Sequence, residues 1–346
     1  MDFLCDARCV KIEEIGFWFL VSGLKILTRN QKPETRNQMK VVFMGTPLAA
    51  VPSLENLLDD GHEVVAVWTQ PDRPAGRGNK LTMQPVKEFA LENSLEIFQP
   101  TKIKTVESLE LFKSHKADVA VVVAYGRILP ESYLNAFPKG AINVHFSLLP
   151  KYRGAAPVNW AIVGGETKTG VTTMKMDAGL DTGDILLQSE TKIDAEENAI
   201  DLMARLSFEG AKLLSETLKN FDKIEPRKQA DEQASYAPML TKEAGRINWE
   251  SRAATINNHI RGFQPFPTSF TFYQGKKLTI WKAAEVSGFK ISSFGAVLEA
   301  KGDNLIISCG GETTLKIVEL QLEGKKRMNV RDFLNGVKIN VGEKLG

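Results

Sequence analysis

"DVAVVVAY", Asp118 to Tyr125, is apolar at every position between its opening aspartate and its closing tyrosine. A strand with one wet face alternates polar and apolar residues. An unbroken run therefore predicts a strand covered on both faces, the habit of parallel sheets flanked by helices. Downstream, "GAINVHF" (Gly140–Phe146) reads as the next strand and Pro157–Val163 as a helix. Upstream, "KVVFMG" (Lys40–Gly45) and "EVVAVWT" (Glu63–Thr69) are short apolar strands. Between them a helix opens near Pro47 and stops at Gly61. Helices over Val86–Glu92 and Val106–His115, with a strand near Ile97, complete the alternation. Strand, turn and helix repeating in this way predict an α/β chain with a Rossmann-like, doubly wound parallel sheet.

That domain is expected over residues 39–225, closed by an amphipathic helix at Ala199–Asn220 whose Leu202, Leu206, Leu213, Leu214 and Leu218 keep helical spacing. From "PRKQADEQASYAP" (Pro226–Pro238) the composition turns polar and small, so 226–244 reads as a linker. After a helical turn around Ile256–Arg261 come "TSFTFYQ", "KLTIWKA", "GAVLEA", "NLIISCG" and "TLKIVELQ". Five short strands at short intervals predict a small OB-like β-barrel over 245–346. Residues 1–38 read as an extension outside the packed fold, disordered or the product of an over-long start. "GFWFLVSGL" (Gly16–Leu24) mimics a signal core, but Asp2, Asp6, Glu13 and Glu14 before it have the wrong charge.

At 346 residues, 43% hydrophobic and 25% charged, the chain has an ordinary globular composition, and no apolar run approaches a bilayer span. Cys5, Cys9 and Cys309 offer neither a disulfide framework nor metal-ligand spacing, so a cytoplasmic location is expected and no metal. Charge is uneven. From Gly245 onward 15 Lys and Arg face 9 Asp and Glu, a net +6, whereas the 244 residues before carry 29 against 33, a net −4. A basic C-terminal third on an acidic body points to a polyanion such as nucleic acid.

The Rossmann-like pattern alone names no ligand. "GTP" at Gly45–Pro47 is not a GxGxxG turn, and "AGRGNK" (Ala75–Lys80) lacks the close of a P-loop. The informative polar groups are Asn143 and His145, two apart on a strand and so on one face. An amide donor beside an imidazole is a minimal acyl-transfer kit: the amide holds a developing oxyanion and the imidazole moves protons near neutral pH. A carboxylate to orient the ring is offered by "MKMDAGLDTGDIL" (Met174–Leu186), as Asp177, Asp181 or Asp184, and spacing does not choose among them. No Ser or Cys sits in a nucleophile elbow, so the nucleophile is expected to arrive with the substrate.

"FMGTP", "TQPDRPAGRGNKL", "VVVAYGRILP", "NVHFSLLPKYRGAAPVNWAI" and "GVTTMKMDAGLDTGDIL" together closely resemble the methionyl-tRNA formyltransferases, a branch of the 10-formyltetrahydrofolate-using transferases. The resemblance runs in order from Met39 to near the C-terminus. It implies Asn143, His145 and Asp181 as the catalytic group, and so selects one carboxylate of the three. It further implies folate contacts at Ser147, Leu148, Leu149 and Pro150, with Arg127, Ile128 and Leu129 as pocket wall. 10-Formyltetrahydrofolate would be the co-substrate and methionyl initiator tRNA the acceptor, its stem met by Arg73, Arg77 and Lys80 of the basic loop. Lys276, Lys277, Lys325, Lys326 and Arg327 of the barrel would grip phosphates, and the chain would act as a monomer. Two departures stand out. Phe146 occupies a position where the family often has a small residue, and alternation should turn it away from Asn143 and His145. Leu48 and Ala49 replace a usual acidic residue and Phe. Two rival readings are a formyl-folate transferase with a sugar-nucleotide or glycinamide ribonucleotide acceptor, and a non-enzymatic folate-sensing RNA-binding protein.

Overall fold

The computed structural model describes residues 38–346 apart from 76–79, so the expectations for the N-terminal extension and for Arg77 lie outside the described residues. These residues form part of one compact unit, Arg36–Gly346, holding two large sheets. The first half runs β1 (Lys40–Gly45), α1 (Val51–Asp59), β2 (Glu63–Trp68), a hairpin of β3 (Arg73–Ala75) and β4 (Lys80–Thr82), α2 (Pro85–Glu92) and β5 (Ile97–Phe98). It continues through α3 (Val106–Ser114), β6 (Val119–Val123), α4 (Glu131–Leu134), β7 (Ala141–His145), β8 (Arg153–Gly154) and α5 (Pro157–Val163). Then come β9 (Lys168–Lys175), β10 (Ile185–Lys192) and α6 (Ala199–Lys219).

The sheet order is β10-β9-β7-β6-β1-β2-β5. β6, apolar throughout, sits centrally and is buried at all five residues. The five strands from β7 to β5 are parallel, as predicted. The sheet is not parallel throughout, however: β9 runs antiparallel to β7, and β10 antiparallel to β9. The Asp-Gly turn between β9 and β10 therefore leaves the sheet beside Ala141, whose carbonyl accepts from Met176 N, and doubles back over the sheet face. Alternation along the strands feeds two cores. Ile142, Val144 and Phe146 join the core under α1 and α6, with Phe146 turned as expected. Ala141 joins the opposite core with Val42, Met44 and Trp68, and Asn143 and His145 continue that row.

α6 begins where Asn198 accepts from Ile200 N and Asp201 N, a side-chain cap that satisfies otherwise orphaned donors. All five predicted leucines are buried. Its Gly210 passes so close behind β7 that a Cβ there would meet Val144 Cγ1 at 2.9 Å.

The second half opens with β11 (Tyr236–Ala237) and α7 (Ala253–Gly262), a full helix where a single turn was expected. β12 (Ser269–Tyr273), β13 (Lys276–Val286), β14 (Val297–Lys301), β15 (Asn304–Ser308) and β16 (Thr314–Leu322) correspond to the five predicted strands. They pair antiparallel in the order β12-β13-β16-β15-β14 around their own core. A sixth strand, β17 (Met328–Asn329), adds to β16 and leads into α8 (Val330–Gly336); at two residues it has no sequence period to detect. The stretch read as a linker makes specific bonds: β11 pairs parallel with β8, and Arg227 bridges Ile185. Among the described residues no helix is long and apolar enough to cross a membrane.

Candidate active site

β7 delivers Asn143 and His145 onto one face, both nearly buried at 9% and 5% exposure. Its backbone is fixed on either side by β6 and β9, with Asn143 opposite Met174 and His145 opposite Thr172. Asp181 arrives from the β9–β10 turn. Its Oδ1 accepts a long hydrogen bond from Asn143 Nδ2 at 3.4 Å, and its Oδ2 lies 3.7 Å from His145 Nδ1 and accepts from Gly154 N at 2.9 Å. Of the three candidate aspartates, then, Asp181 is the one that meets the pair. Asp177 is occupied with Gly179 N and Thr182 Oγ1, a local turn bond.

His145 Nε2 lies 2.9 Å from the carbonyl oxygen of Tyr152. A carbonyl only accepts, so Nε2 carries the hydrogen and Nδ1, facing Asp181, is the nitrogen free to take and return a proton. When the ring gains a second proton, the Asp181 carboxylate is placed to hold the charge. Tyr152 and Asp181 both have positive φ, 61° and 53°. Left-handed backbone at non-glycine residues is costly and persists only where neighbours enforce it. The Tyr152 phenol donates to Glu166 Oε1 at 3.0 Å, and burial together with that carboxylate pushes its pKa up to about 12.

The loop after His145 is tied to β9 by Thr172. Its Oγ1 donates to Ser147 O at 2.7 Å and accepts from Leu149 N at 3.1 Å. Ser147 is fully buried, its hydroxyl donating to Lys151 O, and Leu149 packs with Met174 and Ile185. The peptide groups of Leu149 are themselves engaged, its N–H donating to Thr172 Oγ1 and its carbonyl accepting from Gln188 Nε2. Arg127, Ile128 and Leu129 do not form one wall. Leu129 is buried in the core, whereas Arg127 spans Gln70 Oε1 and the Thr101 carbonyl. Ile128, 76% exposed, lines an apolar groove of about 380 Å³ with Val106 and Tyr133. That groove shares no residue with the Asn143–His145–Asp181 cluster.

Arg73 and Lys80 fall on the two strands of the β3–β4 hairpin, and Arg73 Nη2 reaches Gln70 Oε1 at 3.4 Å. On the second sheet Lys277 lies over the Phe270 ring. Arg327 lies over Trp281 and pairs with Glu319, which offsets its charge. Lys276, Lys325 and Lys326 are exposed.

Sequence reasoning missed Tyr152, Gly154, Thr172, Gln229 and Ser235 as site members. The first two lie inside "NVHFSLLPKYRG" and were within reach. Gln229 and Ser235 carry no local signal, because their partners are distant in the chain.

Residues 39–218 match the family model described as formyl transferase, and residues 239–338 match the formyl transferase C-terminal domain. The chain is 51% identical to a methionyl-tRNA formyltransferase of Caldanaerobacter subterraneus subsp. tengcongensis over 88% of this chain and 99% of the relative. It is 49% identical to the Solibacter usitatus protein of that name, over 89% and 99%. Among solved structures, an N-formyltransferase from Helicobacter canadensis in complex with folinic acid and dTDP-3-aminofucose superposes with a TM-score of 0.61 at 22% identity, covering 81% of this chain and 99% of that one. HypX from Aquifex aeolicus with tetrahydrofolic acid gives 0.59 at 16%, over 88% and 51%. At such identities the likeness is one of fold.

Proposed function

Since the chain belongs to the formyl transferase family, we propose that it transfers the formyl group of 10-formyltetrahydrofolate to the α-amine of methionyl initiator tRNA. The observation that carries this reading is the convergence of an amide, an imidazole and a carboxylate on one buried face, in a chain half identical along its length to methionyl-tRNA formyltransferases. The amine nitrogen attacks the formyl carbon, and the carbon–N10 bond of the folate breaks. Free α-amines titrate at about 7.7–8.0, so a useful fraction is nucleophilic near neutrality. Asn143 Nδ2 donates to the tetrahedral oxyanion. His145 Nδ1 takes the proton lost by the amine and returns one to the departing folate nitrogen, with Asp181 balancing the charge in between. Positioning and oxyanion stabilisation do most of the work, and both are preorganised here by β7.

In this reading Ser147–Pro150 cradle the folate, with Arg127 and Ile128 at its margin and Leu129 supporting them from the core. Arg73, Arg77 and Lys80 meet the acceptor stem, and the basic second domain, residues 245–346, grips phosphates beyond the 39–225 catalytic domain, in a cytoplasmic monomer. The test is formyl transfer to methionyl initiator tRNA by the native chain, His145→Ala and Arg77→Ala. His145→Ala should lower kcat about 10²–10⁴-fold. Arg77→Ala should raise the KM for tRNA and leave folate binding intact. Folate binding without formyl transfer to tRNA would direct the search to other acceptors.

A further inference from the structure

The groups around His145 raise a question that the two matched regions leave open. Asp181 and Tyr152 both hold left-handed backbone, so something outside their own loops must fix them. That something is the segment Arg227–Pro238, which falls between the matched regions ending at 218 and beginning at 239.

Gln229 is its centre. The amide Nε2 donates to Asp181 O at 2.9 Å and to Gly183 O at 2.7 Å, while Oε1 accepts from Arg153 Nε at 2.9 Å. Two carbonyls on one side and a guanidinium on the other leave the amide a single orientation. Arg153 is only 3% exposed, and its Nη2 pairs with Asp231 of the same segment at 2.8 Å. The residue after it, Gly154, donates its N–H to Asp181 Oδ2. A closed circuit results, from the Asp181 carbonyl through Gln229 and Arg153 to Gly154 and back to the Asp181 carboxylate. It fixes the carboxylate against its own backbone. The second partner of His145 is held likewise: Tyr152 N donates to Ser235 Oγ at 2.9 Å, and Arg153 N to Ser235 O at 2.8 Å.

We propose that Gln229 is a positioning residue for the reaction, acting through Arg153 and the Asp181–Gly183 backbone to aim the Asp181 carboxylate at His145. The segment from Arg227 to Pro238 is thereby a working part of the site. This inference rests on the reading of Asn143, His145 and Asp181 given above. Glutamate cannot replace the residue, because its ionised carboxylate would face two carbonyl oxygens.

The experiment compares steady-state formyl transfer by the full chain, Gln229→Met, Gln229→Glu, Asp181→Asn and the double variant Asp181→Asn/Gln229→Met. Misplacing a catalytic group by about 1 Å costs up to about 10²-fold, so Gln229→Met should lower kcat by about 10–100-fold. KM for both substrates should stay within about threefold, since only the chemical step is touched. Because Gln229 acts through Asp181, the double variant should be no slower than Asp181→Asn by more than about threefold. A loss carried by KM, or losses that multiply in the double variant, would overturn the proposal. Gln229→Glu keeps the side-chain volume and the Arg153 bond, and carries the test should Gln229→Met fail to fold. A readout without substrate separates this inference from the functional reading: ¹⁵N NMR of the His145 ring. The native ring should carry its hydrogen on Nε2, toward the Tyr152 carbonyl, and the Nδ1 resonance should move in the Gln229 variants as the Asp181 carboxylate shifts beside it. An unchanged ring would sink the positioning role even if the native chain proved to formylate a different acceptor.

Discussion

His145 is held between two unlike structures. Beneath it β7 is bonded on both sides, by β6 and β9, and α6 presses from behind at Gly210. Above it stand Tyr152 and Asp181, in left-handed backbone on loops, fixed by side chains of a distant segment. The ladder side presents functional groups on a frame that loses little when one side chain changes. The loop side presents groups whose placement is itself the product of a few hydrogen bonds. Changes on the first side should remove chemistry and leave the fold; changes on the second should remove placement.

The largest expected effect falls on the ladder side. Asn143→Ala deletes the proposed oxyanion donor, and loss of one such donor costs about 10²–10³ in kcat. The melting temperature should barely move, because the side chain's one hydrogen bond among the described residues, to Asp181, is long. A fall in kcat accompanied by a large fall in melting temperature would show that β7 is less self-sufficient than its ladder implies.

Gly154→Ala probes the loop side. Gly154 has φ 124°, and a Cβ there would meet the Ala237 carbonyl at 2.6 Å, where β8 pairs with β11. Strain of this kind costs about 1–3 kcal/mol. The N–H to Asp181 would shift with it, so kcat should fall about tenfold alongside stability. Intact activity in a destabilised variant would separate the β8–β11 pairing from the site.

Gly210→Ala is the counterpart behind the ladder. The new methyl meets stiff Val144 at 2.9 Å, and overpacking costs about 1–3 kcal/mol. Alanine returns about 1 kcal/mol in helix propensity. Thermal denaturation should therefore show a net loss of at most about 2 kcal/mol, with kcat within about threefold of native.

The same contrast explains what was legible in the sequence. "DVAVVVAY" and "GAINVHF" announce themselves by period and composition, so β6, β7 and the shared face of Asn143 and His145 followed directly. Asp181 was selected by family resemblance alone, because a turn of three aspartates and two glycines has no period. The reversal of β9 and β10 was hidden, since an apolar run carries no direction. The segment around Gln229 read as a linker because small and polar residues lack a packing period. Its bonds to Asp181, Arg153 and Tyr152 span dozens of residues and leave no mark within any local window.

The smallest effect concerns acid. His62, His115 and His259 all have pKa values lowered by burial from the ordinary 6.5. His62 Nδ1 accepts from Met39 N at the entry to β1, and His115 Nε2 accepts from Trp68 Nε1, so protonation removes an acceptor in each. The unfolded chain takes up protons near 6.5, before the folded one does. Stability from these rings is thus fully present above pH 6.5 and is lost as pH falls from there toward the folded values. The hydrogen bonds of the three rings go to Met39, Trp68, Ser269 and Ala244, none of them in the loops over His145. A drop in melting temperature of a few degrees between pH 7.5 and 5.5 is expected. His115→Gln should flatten it in part, since a glutamine carbonyl accepts from Trp68 without titrating. A slope unchanged by His115→Gln would place the acid-sensitive contacts elsewhere, and a slope abolished by Gln229→Met would move them to the loop side.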